Sequence, residues 1–360
     1  MPFTTGELAN IANSTLDFYL DKGKVGKNNV QDKPMMAAFE EAAGTFPGGK
    51  GNLSLAVKSG QGGGAFQGYT HDDQVGYYNP ANTLRVNYPW KEHHIGLGIT
   101  HTELKTDGIT VIEDGADQTT REKDGREAFA LANLFEEKLD EMEEDRRRSW
   151  DLLIHGDGTS SSKSLAGIGA FLLAAPAAGS TGGLSRVTYP WWRNRAATAA
   201  NGTAGGQGAI TVNAAGGGAL IQFMQKESRQ LKRYAQGGVR HKLFAGSDFI
   251  DGYERELRAN GRYTETGFSS GEAVDGKMAD VRWGGNVFTY DPTLDDLGLS
   301  KRCYVLDMRS GPRLYYMAGE KNKKASPPRP YDRYVLYRGL TSTAVMAARQ
   351  LNTSAIWDIA

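Results

Sequence analysis

The sequence of 360 residues contains one cysteine, Cys303. A single thiol excludes an internal disulfide framework, so burial, hydrogen bonds and neighbouring subunits have to stabilise the fold. Long apolar runs are absent as well, and none approaches the ~20 residues that a membrane-spanning helix needs. The N-terminus has neither the basic start nor the hydrophobic stretch of a signal peptide. These absences predict a protein without a membrane partner.

Net charge is also missing, because 42 basic residues balance 42 acidic ones. A balanced chain lacks the electrostatic signature of sequence-neutral nucleic-acid binding. Any contact with nucleic acid is therefore expected to be local and weak. The absence of net repulsion between copies favours self-association.

The motifs of common catalytic and nucleotide sites are absent: His-Glu-x-x-His, Gly-x-Ser-x-Gly and Gly-Lys-Ser/Thr do not occur. The glycine run at 60–65 lacks the following helix of a dinucleotide fingerprint. His93 and His94 fall on opposite faces of a strand, and His101 shares a face with His93, which favours polar strand residues over a metal site. Cys303 lies in an apolar strand and is expected to be a small core residue. The sequence predicts no catalytic residue, no cofactor and no metal.

A long amphipathic helix is the strongest pattern that is present. Apolar residues recur at spacings of three and four from about Asp124 to His155. At about 1.5 Å per residue this helix is roughly 45 Å long. Two Glu–Arg pairs four residues apart support it, and the run EEDRRR is either a solvated face or a bridge to a neighbouring copy. The contact candidates here are Glu143, Glu144, Arg146, Arg147 and Arg148.

A strand-like excursion precedes this helix, at 52–112. Leu53, Leu55 and Val57 alternate along its first strand, and a tip rich in glycine and tyrosine follows. A two-stranded ribbon is marginal in water, so it is expected to settle on a neighbour. The arm at 1–51 holds two short helical pieces that also need something to lie on. The contact candidates in the tip are Phe66, Tyr69, Tyr77 and Tyr78.

After the helix, Trp191 and Trp192 follow Tyr189-Pro190 in an irregular segment. This pair is either a packed corner or a contact with another chain. The alternation of helical and strand patterns over residues 215–310 predicts a mixed α/β unit, and the apolar pattern of the tail predicts two or three strands.

The chain resembles the major capsid proteins of tailed double-stranded DNA bacteriophages, which have the HK97-like fold, in the order of these elements and in three local segments. The order is an arm, a long hairpin, a long charged helix, a tight glycine turn, an α/β insertion and closing strands. The segments are HGDGTSSSKSLAGIGAFL, YPWWRNR and RPYDRYVLYRGLTSTAVMAARQLNTSAIWDI.

The resemblance implies an α+β fold and a shell of pentamers and hexamers that closes around double-stranded DNA, without catalysis. The implied location is the virion, after assembly in the host cytoplasm. The implied divisions are an N-terminal arm (1–51), an extended E-loop (52–112), a peripheral domain (113–214) with a spine helix (121–155), an axial domain (215–310) and a return to the peripheral domain (311–360).

The resemblance also implies partners: a portal, weakly bound packaged DNA and, in some relatives, a decoration protein. Some relatives carry a scaffolding segment that a protease removes, whereas the short arm after Met1 predicts a separate scaffolding protein. Some crosslink an E-loop lysine to a neighbour's asparagine; Lys58 and Asn352 are the nominees here, and we expect no crosslink. Two other classes stay open: an encapsulin-like shell around enzyme cargo, and a phage tail tube, usually a smaller β-barrel without a spine helix.

Overall fold

The computed structural model describes most of the chain. The described residues are 3–4, 31–48, 51–60, 66–79, 82–106, 111–112, 125–213, 218–235, 241–259, 282–325, 327 and 334–360, with the backbone alone at 3–4, 105, 111–112, 125–137 and 258. The predicted first helical piece of the arm and residues 121–124 lie outside them.

The second helical piece of the arm, the long helix and the two helices of the predicted α/β unit lie where the apolar periodicity predicts helices, whereas residues 101–106 form a helix inside the stretch that was predicted as a returning strand. The helices are α1 Pro34–Glu41, α2 His101–Thr106, α3 Gly125–His155, α4 Ile168–Phe171, α5 Ala199–Thr203, α6 Ala219–Lys232, α7 Ser247–Ala259 and α8 Pro292–Asp296. The long helix α3 ends at the predicted residue, and α6 lies inside the predicted range.

The strands complete a mixed fold. They are β1 Phe3–Thr4, β2 Gly44–Phe46, β3 Asn52–Lys58, β4 Thr83–Pro89, β5 Lys91–Thr100, β6 Val111–Ile112, β7 Ser180–Thr181, β8 Leu184–Ser185, β9 Arg195–Ala197, β10 His241–Ala245, β11 Arg282–Trp283, β12 Asn286–Tyr290, β13 Arg302–Asp307, β14 Arg313–Met317, β15 Lys323–Ala325, β16 Val335–Ala347 and β17 Ala355–Asp358.

The chain divides into two compact units, and the smaller one takes in residues 92–150 and 317–343. Here β5 and β15 pair with β16. The alternating face of β5 brings Ile95 and Leu97 against a buried cluster of Leu139, Met142 and Leu340. A strand with period two and a helix with period 3.6 thus share one apolar contact.

The larger unit takes in residues 32–91, 151–316 and 344–360 and contains a six-stranded sheet of order β11-β12-β10-β13-β17-β9. Helices α6 and α7 contribute to the core beside this sheet, which includes Cys303 and Trp357. The indole of Trp357 meets Phe223 and Trp283 edge to face, at centroid distances of 5.8 and 5.5 Å. Cys303 is fully buried, which confirms its assignment to the core.

Two strand predictions differ from the structure. The ribbon of β3 and β4 is present, but β5 leaves it and pairs with β16, because its apolar face finds cover at Leu340 and α3. The six-stranded sheet, in turn, draws strands from beyond 215–310. The strand β17 of the predicted tail pairs in parallel with β9, with Ala355 opposite Arg195.

The second helical piece of the arm, α1, was expected to need something to lie on, and it lies on its own chain. Met35 and Phe39 are fully buried. Lys242 binds Glu41 at 2.6 Å, and Arg313 donates to the carbonyl oxygen of Ala42 at 2.6 Å. An eight-residue helix is too short to persist alone, and here its own chain stabilises it.

Candidate subunit-contact surfaces

The ribbon of β3 and β4 has a buried base. Seven residue pairs join β3 to β4, and one face carries Leu53, Leu55 and Val57 into the unit. On the partner strand the Tyr88 hydroxyl donates to the carbonyl oxygen of Ala348 at 3.2 Å. Apolar contacts and this hydrogen bond hold the base of the ribbon against the larger unit.

The tip, defined as residues 66–79, is exposed along its whole length. Phe66 is 106% exposed and Tyr77 is 96% exposed, and Tyr69 and Tyr78 are also open to solvent. Large aromatic side chains bury much apolar area when they are covered, so a group of exposed ones is a candidate interaction surface.

A turn organises the middle of the tip. The carboxylate of Asp73 accepts hydrogen bonds from the backbone and the hydroxyl of Thr70, both at 2.8 Å. The backbone bond, followed by the hydroxyl bond, lowers the pKa of Asp73 below its usual range. The tip contains no lysine or arginine, so Asp72 and Asp73 make it acidic.

A groove of about 1300 Å³ opens in the larger unit beside the ribbon base. Its walls come from the end of β3, the segment 190–196, the loop 204–207 and the segment 349–352. Its charged lining residues are Lys58, Arg193, Arg195 and Arg349. Aspartate and glutamate are absent from the described residues that line it. The nominated crosslink residue Asn352 also lies here.

The basic side chains of the groove differ in how they are bound. Arg195 pairs with Glu227 through both ends of its guanidinium. The Arg193 guanidinium donates to the carbonyl oxygen of Arg186 at 2.7 Å and has no carboxylate partner among the described side chains. Lys58 and Arg349 are exposed. The groove therefore keeps a positive charge.

The tryptophan pair is divided between two roles that the sequence left open. Both residues lie in a 3-10 turn, Pro190–Trp192. Trp192 is 1% exposed, and its indole N–H donates to the carbonyl oxygen of Thr181 at 3.1 Å. Trp191 is half-buried and lines the groove. One indole packs the corner, and the other faces the groove.

A buried arginine supports this corner, and sequence reasoning missed it. Arg186 is fully buried, and its guanidinium donates to the side-chain oxygens of Thr181 and Asn194 and to the carbonyl oxygen of Phe171. Burial lowers the pKa of Arg186 to about 10. Neutral oxygens satisfy the cation, so the group ties three segments together.

On α3 the predicted Glu143–Arg147 pair is present at 3.1 Å, and Arg146 joins it with two bonds of 2.7 Å. Burial raises the pKa of Glu143, but the two arginines outweigh this and hold it below its usual range. Arg148 is exposed, and the Glu144–Arg148 pair stays a prediction. One carboxylate thus binds two of the three arginines.

A second buried polar cluster lies where α3 ends, and no sequence motif predicted it. His155 bonds through Nε2 to Asp291 Oδ2 at 2.9 Å and through Nδ1 to the backbone oxygen of Asp151 at 2.9 Å. The Thr293 hydroxyl donates to Asp151 at 2.5 Å, and Lys33 lies 3.6 Å from the same carboxylate. Two buried carboxylates share one imidazole and one ammonium group.

The residues considered for chemistry occupy structural positions. His93 lies 5.1 Å from the ring of Trp150, and His101 lies 5.8 Å from the ring of Tyr334. Burial raises the pKa of the Cys303 thiol well above its usual range. Within the described residues no group of His, Cys, Asp and Glu is arranged to hold a metal, and no helix has the length and hydropathy to span a bilayer.

Comparison with known proteins gives similarity in structure alone. No protein-family model and no curated protein matches the chain. The chain is similar to one in the cyanophage A-1(L) capsid, with a TM-score of 0.62, 12% identity, and coverage of 93% of this chain and 95% of that one. It is also similar to the capsid of an empty GTA particle (TM-score 0.54, 11% identity, 94% of each chain).

The capsid of Myoviridae phage XM1 gives a TM-score of 0.52 at 11% identity, with coverage of 94% of this chain and 95% of that one. Such low identity establishes the fold and nothing finer. The chain therefore has the HK97-like α+β fold of phage capsid proteins, as its sequence predicts.

Proposed function

We propose that this chain is the major capsid protein of a tailed double-stranded DNA bacteriophage. Pentamers and hexamers of it form an icosahedral shell that encloses the packaged DNA. The observation that carries this proposal is the capsid fold, which covers more than nine-tenths of the chain and of the similar capsid chains. The proposed role is structural.

The exposed tip supports self-assembly. Residues 66–79 carry four aromatic side chains into solvent on a ribbon whose base is buried. A single copy leaves this apolar area uncovered, and a second copy would bury it. Each such contact is weak, but many identical contacts sum to a strong shell by multivalency.

The domain divisions belong to the same proposal. Residues 1–51 are the arm, 52–112 the E-loop, 113–214 the peripheral domain, 215–310 the axial domain, and 311–360 the return. Contact with DNA is weak and non-specific, because the chain has no net charge and Glu143 pairs with Arg146 and Arg147. A portal, a separate scaffolding protein and a decoration protein complete the proposed partners.

Expression of the full chain followed by electron microscopy tests the function. Wild-type chain, with a scaffolding protein where one is needed, should give closed icosahedral particles. Deletion of 60–80 should leave a folded monomer and no closed particles. A variant with Phe66, Tyr69, Tyr77 and Tyr78 replaced by serine should behave in the same way, while Val187→Ser, an exposed apolar residue outside the tip, should assemble normally. Normal particles from the deletion variant would contradict the role of the tip in assembly, whereas a wild-type chain that forms no closed particles would contradict the proposed function.

The contents and shape of the particles separate the alternatives. A phage shell protects DNA from nuclease when packaging proteins are present, whereas an encapsulin-like shell retains a cargo enzyme. Hexameric rings or tubes in place of shells would indicate a tail tube. Neighbouring genes give an independent answer, since terminase and portal genes mark a phage head.

A further inference from the structure

We propose that the exposed face of helix α6 binds the phosphate backbone of double-stranded DNA, and that this face is turned towards the packaged DNA in the shell. The first part stands on the helix itself, and the second part rests on the proposed function. The face, which we call the α6 face, consists of Lys226, Arg229, Lys232 and Arg233, all exposed. The whole chain has no net charge, so binding to DNA requires a local surface of this kind.

The four cations lie on one side of α6 because of their spacing. Residues three, four and seven positions apart share a helix face, and Arg233, just past the last residue of α6, keeps helical backbone angles. The opposite side of α6 is buried in the core beside the six-stranded sheet. Gln222 and Gln225, the other exposed long side chains of α6, are neutral. Its acidic residue, Glu227, is buried and paired with Arg195, so the solvent side of α6 is uniformly positive.

Nothing in the described chain neutralises this face. Among the described residues, none of the four cations forms an ion pair with a carboxylate. Arg229 has like charges three positions before it, three after it and four after it, and such pairs destabilise a helix. The helix dipole favours cations in the last turn, where Arg229 and Lys232 lie, but Lys226 precedes that turn. A bound polyanion would remove the repulsion.

The other long helices do not share this pattern. On α3, Glu143 binds Arg146 and Arg147. On α7, Asp251 lies four positions before Arg255, and both residues are exposed. Charges of both signs are typical of a solvated helix face. Cations clustered along one helix indicate contact with nucleic acid.

The positive surface continues beyond the end of α6. The guanidinium of Arg233 lies 5.5 Å from the centroid of the Tyr234 ring. Gln350 donates from Nε2 to the carbonyl oxygen of Tyr234 at 3.0 Å. The preceding residue, Arg349, is exposed and lines the groove, whose described lining contains no aspartate or glutamate. The α6 face therefore adjoins the positive groove.

The composition of the face favours nucleic acid over a protein partner. Interfaces between proteins have an apolar core in which lysine is depleted, whereas no large apolar side chain of α6 is exposed. Phosphate oxygens in protein–DNA complexes accept hydrogen bonds from arginine, lysine and glutamine, which are the residues found here.

The density of charge points the same way. The face extends from residue 226 to residue 233, about 10 Å along the helix axis. Double-stranded DNA carries about six phosphate charges over that length. An extended acidic peptide carries only about three over the same length, even when every residue is acidic. Four closely spaced cations are therefore matched better by DNA.

Binding of a fluorescent DNA duplex of random sequence to the unassembled full chain tests the first part. With about four phosphate contacts, the logarithm of the binding constant should fall with the logarithm of the salt concentration with a slope of about −3.6. This slope corresponds to binding that is about a hundredfold weaker at about 200 mM salt than at about 50 mM. Fluorescence anisotropy measures both quantities.

A variant that combines Lys226→Gln, Arg229→Gln, Lys232→Gln and Arg233→Gln should weaken binding at low salt at least about tenfold and bring the slope to about −1 or closer to zero. Glutamine is a good helix former, so the circular dichroism spectrum should not change. The matched control replaces four exposed cations elsewhere in the larger unit by glutamine: Arg85, Lys163, Arg282 and Lys301. Its net charge is the same, and it should bind within about threefold of wild type with an unchanged slope.

Competition separates DNA from an acidic protein partner. Poly-L-glutamate should displace the duplex at least about tenfold less well than unlabelled DNA of equal total charge, because its charges are more widely spaced. Equal competition would contradict the assignment to phosphate.

DNA-filled particles test the second part. Ultraviolet irradiation followed by proteolysis and mass spectrometry should find nucleotides linked to Tyr234, which lies beside the face. Particles without DNA are the control and should give no such peptide. Crosslinks confined to other parts of the chain would show that the α6 face is turned away from the packaged DNA.

The outcomes separate this inference from the proposed function. If the wild-type chain binds the duplex with a slope near zero, or if the α6 variant binds as wild type does, the DNA-binding face is wrong, although the chain still forms shells. If the duplex binds as predicted but no closed particles form under any condition, the proposed function and the orientation in the shell are wrong, whereas the DNA-binding face remains.

Discussion

His155 Nε2 lies 2.9 Å from Asp291 Oδ2, and 136 positions separate the two residues in the sequence. The contact joins the end of α3 to the residue that caps α8, where the Asp291 carboxylate accepts from the backbone of Thr293. Both side chains are buried. A titratable group in this position makes the stability of the larger unit depend on pH.

The first prediction concerns that dependence. Burial lowers the pKa of His155, but the hydrogen bond to Asp291 and the charges of Asp151 and Asp291 outweigh it, so the pKa is raised above its ordinary 6.5. Burial, the largest cause, raises the pKa of Asp151, against the opposing charges of His155 and Lys33. In both cases the folded state binds its proton more tightly than the unfolded chain does.

The contribution of His155 to the free energy of unfolding is therefore complete below pH 6.5, and it is lost as the pH rises through the raised pKa of the folded state. The slope is at most about 1.4 kcal/mol per pH unit for one proton. Urea unfolding of the unassembled chain between pH 5 and pH 9 measures it. His155→Leu should remove this slope and lower the free energy of unfolding by about 3–5 kcal/mol at pH 6, because it strands buried carboxylates.

His241 also makes the free energy of unfolding depend on pH. Its pKa is lowered, chiefly by burial, so its contribution has the opposite sign to that of His155. The difference between wild type and His155→Leu isolates the cluster. A difference that stays constant across the pH range would contradict the assignment.

The second prediction separates the two adjacent tryptophans. Trp192→Ala removes a fully packed indole and should lower the free energy of unfolding by about 3–5 kcal/mol. Trp191→Ala should cost less than about 1 kcal/mol, since this indole is half-exposed. Thermal and urea unfolding measure both. If Trp191→Ala proved as costly as Trp192→Ala, the division between corner and groove would be wrong.

The third prediction concerns a helix cap supplied from a distance. Helix α6 begins after Gly218, which has no capping side chain. Instead, the fully buried carboxylate of Glu256 accepts from the backbone N–H groups of Leu220 and Ile221, both at 3.0 Å. Glu256→Gln should cost about 2–3 kcal/mol, because the amide replaces one of the two acceptor oxygens with an NH2 group that faces a backbone N–H.

Asp251→Asn is the matched control, since Asp251 is exposed on the same helix as Glu256. It should change the free energy of unfolding by no more than about 0.5 kcal/mol. Equal effects from the two substitutions would indicate that the Glu256 cap contributes little.

The fourth prediction tests the glycine turn after α3. A Cβ at Gly167 would lie 2.2 Å from the carbonyl oxygen of Leu153 and 2.4 Å from that of Ile154. Backbone atoms have to move to admit it, so Gly167→Ala should cost about 3 kcal/mol, the upper end for overpacking. Gly51→Ala meets nothing within 4 Å and should leave the melting temperature unchanged. A Gly167→Ala variant as stable as wild type would contradict the close packing.

Local sequence patterns predicted much of the fold. The apolar period predicted the end of α3 at His155, and alternation predicted the β3–β4 ribbon and the burial of Cys303. Glycine and tyrosine content predicted a tip, and its four aromatic residues are exposed. Their contact with another copy stays a prediction.

Long-range partners could not be read in the same way. Alternation requires that β5 have an apolar partner, but it does not say that the partner is β16 and α3. Two adjacent tryptophans have the same sequence signal, and only the 3-10 turn decides which one is buried. Lys58, Arg193 and Arg349 lie far apart in the sequence, and they line one groove only in the folded chain.

The sequence alone determined the elements that depend on neighbours within a few residues, namely the length of the long helix and the alternation along the strands, and the order of these elements indicated the class of fold through a family resemblance. The tertiary structure alone decided which strand pairs with which, how the carboxylates of Glu256 and Asp291 are used, and where the positive groove lies. The physical reason is range. Periodicity is set by backbone geometry over one or two turns, whereas these contacts join residues far apart in the sequence, 136 positions for His155 and Asp291 and 160 for Arg195 and Ala355. Packing and the need to satisfy buried polar groups select them.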